Sequence, residues 1–346
     1  MRAELLTCAD PRWGEFLASV RHDFYHLPGY VELCARHEGG EGVAFRATEG
    51  GATLLVPMVL RPLPGALDPD PGWRDAVAPY GYPCPLVGGA PGAETLGAML
   101  QAFREVGAAA GIISAFLRLH PLLPLPEAPL RAFGDLVEHG ATVYLDLGLG
   151  RAELDRQTRV NHLAGVRRLE REGFRVQLDA WEGLDDFVRI YEQTMRYRAA
   201  DTFYFFQRGY YEELHRCLGG QLHLSMVRSP DGVPAAGGLF TLVDGLVQFH
   251  LSGTDEAFRR AGPAKLMLLH MRDWAQGRGA RYLHLGGGVG CREDSLAFFK
   301  QGFSKLRAPF RTFRMILRPE IYQRLVERAV REEAGPAPFF PAYRHP

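Results

Sequence analysis

The stretch His284-Leu-Gly-Gly-Gly-Val-Gly290, followed by Asp294-Ser-Leu-Ala-Phe-Phe-Lys300-Gln-Gly-Phe303, reads as a strand end, a glycine loop and a short helix. Upstream, residues 281–285 form an apolar strand pattern and residues 264–278 a helix. Before these, residues 246–252 read as a strand joined to another at 235–243 through Asp244-Gly245, a strong hairpin signal. Between strand and helix stands Arg259-Arg-Ala-Gly262-Pro-Ala264. A strand entering a glycine turn and then a helix presents backbone N–H groups and a positive helix end, and both bind phosphate. Pro263 removes one of those donors, and a plain helix start with proline in its first turn reads equally well.

Further out the alternation continues. Residues 222–227 read as a strand, and 184–199 as a helix with Phe187, Ile190, Tyr191 and Met195 on its apolar side. Residues 175–178 and 141–147 read as strands. Between these two lies a basic helix, 151–172, carrying Arg156, Arg159, Arg167, Arg168 and Arg171 and stopped by Gly173. Nearer the start, residues 52–60 are strand-like. A Pro/Gly-rich tract, 57–92, reads as loops because Tyr80, Tyr82, Leu86 and Val87 stand among its turn residues. A helix at 96–110 and a strand at 112–119 close this part at His120-Pro121. Such alternation predicts an α/β (α+β) chain with layered sheets flanked by helices, in two units of similar size.

Composition agrees with that class. The 346 residues are 47% hydrophobic and 23% charged, with 40 Lys+Arg against 40 Asp+Glu, enough to bury two cores without staples. No apolar run reaches the ~18 residues of a membrane span, and the first ten residues lack the apolar core of a signal peptide, so a cytoplasmic protein is expected. Five cysteines, an odd number with no C-x-x-C pair, argue against a disulfide framework and a zinc site. The zero net charge hides an asymmetry: residues 256–331 hold 16 Lys+Arg against 6 Asp+Glu. A phosphate-rich partner would sit near that stretch, unless it is simply a solvated basic face.

Arg259-x-x-Gly262-x-Ala264 resembles the loop with which GNAT-type N-acyltransferases hold the pyrophosphate of coenzyme A. The segment from His284 to Phe303 resembles the end of a GNAT domain, where a strand splays open. It is more similar still to the Fem-type aminoacyltransferases and their acetyltransferase-like relatives, whose last helix carries Asp-Ser-Leu-x-x-Phe-Lys-x-x-Phe. Further matches are Phe24-Tyr-His-Leu-Pro-Gly-Tyr30, Pro79-Tyr-Gly-Tyr-Pro-Cys-Pro85, Arg118-Leu-His-Pro121, Tyr191-Glu-Gln-Thr-Met195 and Phe249-His-Leu-Ser-Gly253. The resemblance implies tandem GNAT-like domains, each a central mixed sheet flanked by helices: 1–140, completed by 311–346 if the last segment returns to the first domain, and a catalytic 141–310. It implies transfer of an aminoacyl group from aminoacyl-tRNA to an amine of a peptide or peptidoglycan-precursor-like acceptor. The long helical arm that some members insert is missing.

Amide formation from an ester or thioester needs a neutral amine and a donor to the tetrahedral oxyanion. The chain has three lysines, Lys265, Lys300 and Lys305, among its 40 cationic residues, so a lysine inside the motif draws attention. Lys300 is the first candidate for that donor, in keeping with the family's Phe-Lys position. The resemblance adds Arg198 and Tyr204 to the catalytic set. Donor-binding candidates are Arg259, Gly262, Ala264, Gly286, Gly287, Gly288, Phe299 and Phe303, the two phenylalanines being cleft wall, core or a stacking surface for the tRNA's terminal adenine. Three consecutive glycines allow close approach to a donor, or make a plain loop. Asp294 reads as a helix cap ahead of a base. Acceptor-binding candidates are His120, Tyr80 and His250. His120-Pro121 stands where peptidoglycan-directed members show Asp-Pro, which points to a different amine. No resident cofactor or metal and no DNA are expected; aminoacyl-tRNA or acyl-CoA is the co-substrate, and a monomer is expected. The rivals are an acyl-CoA-dependent N-acetyltransferase acting on a small amine, and a non-catalytic relative that binds a peptide.

Overall fold

The computed structural model describes residues 1–65, 72–329 and 339–344. Residues 66–71 of the loop-rich tract, and 330–338 and 345–346 of the last segment, lie outside the described residues. The chain forms two compact units, one of residues 1–139 with 309–346 and one of residues 140–308.

In chain order the first unit opens with β1 (Arg2–Thr7), α1 (Pro11–Leu17), α2 (Pro28–Glu38), β2 (Glu41–Glu49), β3 (Ala52–Pro62), β4 (Arg74–Val77), β5 (Leu86–Gly88), α3 (Ala93–Ala109), β6 (Ile112–Arg118) and α4 (Glu127–Phe133). There follow β7 (Asp135–Asp146), α5 (Arg151–Gln157), α6 (Val160–Arg171), β8 (Arg175–Leu178), α7 (Leu184–Tyr197), α8 (Arg208–Leu218), β9 (Leu222–Arg228), β10 (Pro234–Val243), β11 (Leu246–Thr254), α9 (Ala264–Gly277), β12 (Tyr282–Gly286) and α10 (Ser295–Lys300). Last come β13 (Arg307–Ile316) and α11 (Pro319–Ala329).

In the first unit the strand order is β1-β2-β3-β4-β6-β13, with β5 also on β3. The β4/β6 pair is parallel and the other pairs are antiparallel. The run Ala52–Pro62 is apolar at nearly every position because both its faces are covered. Leu54, Val56, Met58 and Leu60 join α3 residues Leu100 and Phe103 in one core. Leu55 joins Trp13, Phe16 and Val31 of α1 and α2 in another.

In the second unit the order is β7-β12-β11-β10-β9-β8. Here β11/β12 is the parallel pair, and β10 and β11 form the hairpin expected from Asp244-Gly245, both residues in the left-handed region at φ 46° and 74°. One core gathers Val166 and Leu169 of α6 with Met267, Leu268 and Met271 of α9 against Phe240, Val247 and Leu283. On the other face Phe187 of α7 packs on Gly237, and a Cβ at Gly253 would meet the Ile190 carbonyl oxygen at 2.7 Å, so α7 lies close along β11.

The basic helix expected over 151–172 is two helices. Between them the Thr158 hydroxyl donates to the carbonyls of Leu154 (2.9 Å) and Phe303 (3.3 Å), and the Arg159 N–H donates to the Gly302 carbonyl at 2.8 Å. Bonds to the turn after α10 replace helical bonds at this point, which is why local propensity did not show the break. No helix among the described residues is long and apolar enough to cross a membrane.

Candidate active site

The ladder between β11 and β12 pairs Leu246–Gln248 with Tyr282–His284 and ends there. β11 continues to Thr254 against β10. Within that β10/β11 ladder Leu239 faces Leu251 and Phe240 faces Phe249, so His250 is the extra residue of a β-bulge. The last paired residues are tied side chain to side chain, His284 Nδ1 donating to Gln248 Oε1 at 2.7 Å. Phe249 is the first residue past this tie.

Lys300 stands over that opening, its Nζ 6.0 Å from the Phe249 ring centroid. It is buried and donates to the Gly287 carbonyl at 2.7 Å. Burial pulls its pKa down to about 8; Cys291 and Asp294 pull it back up and Arg198 pushes it further down. The charge felt from Arg198 brings that residue, at the C-terminal end of α7, within electrostatic reach of Lys300. Asp294 caps α10: Oδ1 accepts from the Ala297 N–H (2.8 Å) and Oδ2 from the Val289 N–H (2.9 Å), so one carboxylate closes the glycine loop and starts the helix. Cys291, buried at φ 58°, lies within electrostatic reach of Lys300, and sequence reading did not single it out.

The three glycines serve the loop itself. A Cβ on Gly287 would lie 2.8 Å from Cys291 Sγ, and one on Gly288 would lie 2.2 Å from the Arg292 carbonyl oxygen. Gly286 takes φ 75°, a region that favours glycine. Of this run it is the Gly287 carbonyl that meets the lysine.

Phe303 is 1% exposed in the core and Phe299 is half-buried. Both pack on His162, at ring-centroid distances of 4.7 and 5.7 Å, and Gly302 has no room for a side chain because its Cβ would strike the His162 ring at 2.0 Å. Burial, with Lys265 and Arg159, draws the His162 pKa down to about 4. Phe298, which precedes Phe299 on α10, is the exposed one, at 64%.

In the Arg259–Ala264 segment, Gly262 adopts φ 72°. Its N–H donates to the Phe258 carbonyl at 3.2 Å, and the Lys265 N–H donates to the Gly262 carbonyl at 3.1 Å. Two amides that could face a phosphate are thus engaged, and Pro263 contributes none. Arg259 lies over the Tyr197 ring at 3.8 Å, and Ala264 opens α9. Tyr204 is half-buried in a one-turn helix, its ring edge-on to Phe203 at 5.4 Å.

In the first unit His120 is buried. The Leu122 N–H donates to its Nδ1 at 3.0 Å, so its proton sits on Nε2, which donates to Asp23 Oδ2 at 2.9 Å. The Phe24 N–H satisfies Asp23 Oδ1 at 2.7 Å. His120 therefore holds a buried carboxylate inside the fold and offers no surface contact for an acceptor. Tyr80 is half-buried, and its carbonyl accepts from the Tyr30 hydroxyl at 2.7 Å.

Residues 156–295, within the second unit, match the model of the acetyltransferase (GNAT) domain. No curated protein matches the sequence. Among solved structures the chain is similar to FemX, with a TM-score of 0.72 at 15% identity over 93% of this chain and 99% of that one. It is similar to L-PGS from Bacillus licheniformis, with a TM-score of 0.58 at 14% identity over 95% and 99%. It is also similar to a tandem GNAT protein from the clavulanic acid biosynthesis pathway, with a TM-score of 0.52 at 12% identity over 90% and 98%. The fold is similar to that of FemX, as the resemblance of the motifs implies, and the residues that match the GNAT domain lie within the second unit.

Proposed function

We propose that the protein is an N-acyltransferase that takes an aminoacyl group from aminoacyl-tRNA and forms an amide with an amine of a peptide or peptidoglycan-precursor-like acceptor. The observation that carries this reading is the buried Lys300 ammonium, aimed at the opening where β11 parts from β12. The acceptor amine attacks the ester carbonyl, a C–N bond forms, the ester C–O bond breaks, and the proton lost by nitrogen ends on the ribose oxygen. A cation held in a dry seat stabilises the oxyanion that develops between those events. The cationic stretch 256–331 and the arginines of α6 suit a polyanionic donor, while the engaged amides of the Arg259–Ala264 loop weigh against a coenzyme A pyrophosphate. In this reading the protein works as a cytoplasmic monomer with no resident cofactor. His120, buried on Asp23, puts no carboxylate at the surface, which favours an acceptor other than the usual cell-wall precursor.

The acyl-CoA reading keeps one observation in its favour, the Arg259-x-x-Gly262-x-Ala264 spacing itself. Titrating the protein with charged tRNA, uncharged tRNA and acyl-CoA at two salt concentrations separates the readings. Charged tRNA should bind best, with affinity falling steeply as salt rises because phosphate neutralisation releases counterions. A salt-independent preference for acyl-CoA would overturn the proposal.

A further inference from the structure

Two large rings stand exposed beside the candidate site, Phe298 at 64% and Tyr197 at 67%. Exposed apolar side chains taken singly need no explanation, but each of these carries a guanidinium on one face. Arg159 lies 3.8 Å from the Phe298 ring centroid and donates to the Phe298 carbonyl at 2.9 Å, and its own N–H is anchored on Gly302. Arg259 lies 3.8 Å from the Tyr197 ring centroid, with Glu256 3.8 Å from its guanidinium. The break between α5 and α6 is what delivers Arg159 to this place. Both rings are therefore backed by a cation and present their other face to solvent. Both belong to elements that also supply the candidate site: Phe298 is on α10 two residues before Lys300, and Tyr197 precedes Arg198, whose charge is felt by Lys300 and by Asp294.

We infer that Phe298 and Tyr197 are stacking positions for the unpaired nucleotides at the 3′ end of a donor RNA, with Arg159 and Arg259 supplying the charge for the adjoining phosphates; this rests on the tRNA-donor reading above. A ring held by a guanidinium loses little freedom on stacking, every base offers a π-face, and the arrangement tolerates any sequence at the reactive end. Further along α6 the exposed Arg167, Arg168 and Arg171 extend the cationic surface for the backbone that follows.

The test uses the full chain and two RNA hairpins, one blunt and one carrying a four-nucleotide single-stranded 3′ end, with binding read by fluorescence anisotropy. Wild type should prefer the overhanging hairpin. Phe298→Ala and Tyr197→Ala should each weaken it about 5- to 150-fold, the span that loss of base–aromatic stacking produces, and leave the blunt hairpin unchanged. Phe298→Tyr and Tyr197→Phe, which keep the rings, should retain the preference. If the Phe298→Ala/Tyr197→Ala double variant keeps the wild-type preference, the stacking inference fails while the donor reading stands. If wild type binds the two hairpins alike, both fail. If wild type ignores RNA and the variants lose coenzyme A, the rings serve an adenine from that source and the RNA assignment is overturned.

Discussion

A lysine ammonium held away from water is costly unless something accepts its protons, and here a single carbonyl, that of Gly287, does so at 2.7 Å. The consequence is a pKa of about 8 in place of the usual 10.5. If the charged form stabilises the oxyanion, kcat/KM should fall about tenfold per pH unit above pH 8, as the ammonium is lost. Stability runs the opposite way: the folded pKa lies below the unfolded one, so the cost of the buried charge is full below pH 8 and is relieved between 8 and 10.5. Lys300→Met, which keeps the stem and removes the charge, should lower turnover at least ~10-fold, about 1.4 kcal/mol of transition-state stabilisation. Unchanged kinetics in a folded variant would remove Lys300 from the mechanism. Sequence pattern pointed to this lysine but left the three phenylalanines around it unsorted. Which ring faces out depends on His162 filling the space above Gly302, a tertiary fact with no local signature.

At the scale of elements, α5 and α9 are held together by Arg272, 1% exposed, whose Nη1 donates to Asp155 at 2.7 Å and whose Nε donates to Asp273 at 2.8 Å. Truncating it takes the cation from Asp155, leaves Asp273 with Arg151 alone at 3.1 Å, and opens a hole in the packing. Arg272→Ala should therefore cost about 1–3 kcal/mol, read as a shift in the urea midpoint at constant slope. A loss under about 1 kcal/mol, the worth of an exposed pair, would mean that solvent reaches the site freely. Much of this level was legible. β8 spans the four residues its pattern marked, and Asp244-Gly245 makes its turn with both residues at positive φ. The strand read at 141–147 begins earlier, at Asp135, and the helix read at 151–172 is split. In the second case partners distant in sequence decide the outcome, the Gly302 and Phe303 carbonyls drawing Arg159 and Thr158 out of the helix. The bulge at His250 is likewise a matter of how β10 pairs with β11. A period of two along one strand cannot announce it.

At the scale of the whole chain, the first unit is discontinuous: residues 1–139 are joined by residues that follow 308. β13 pairs with β6 from Thr312↔Arg118 to Ile316↔Ser114, and Phe313, Met315 and Leu317, none more than 5% exposed, fill the core beneath α3. Losing one such side chain costs about 2–5 kcal/mol, and losing three together reaches the whole stability of an ordinary domain. A chain ended at residue 308 should therefore lose hydrogen-exchange protection throughout β2, β3 and β6. The second unit, whose core among the described residues ends at Phe303, should keep its protection. Full-length protection of β3 in the shortened chain would show that the first unit's sheet is stable without its last strand. Loss of protection in β10 and β11 would show that the second unit depends on residues after 308. Ending the chain at 308 takes Phe313, Met315 and Leu317 from the first core and no member of the second, so the pattern of lost protection reads out which residues each core requires.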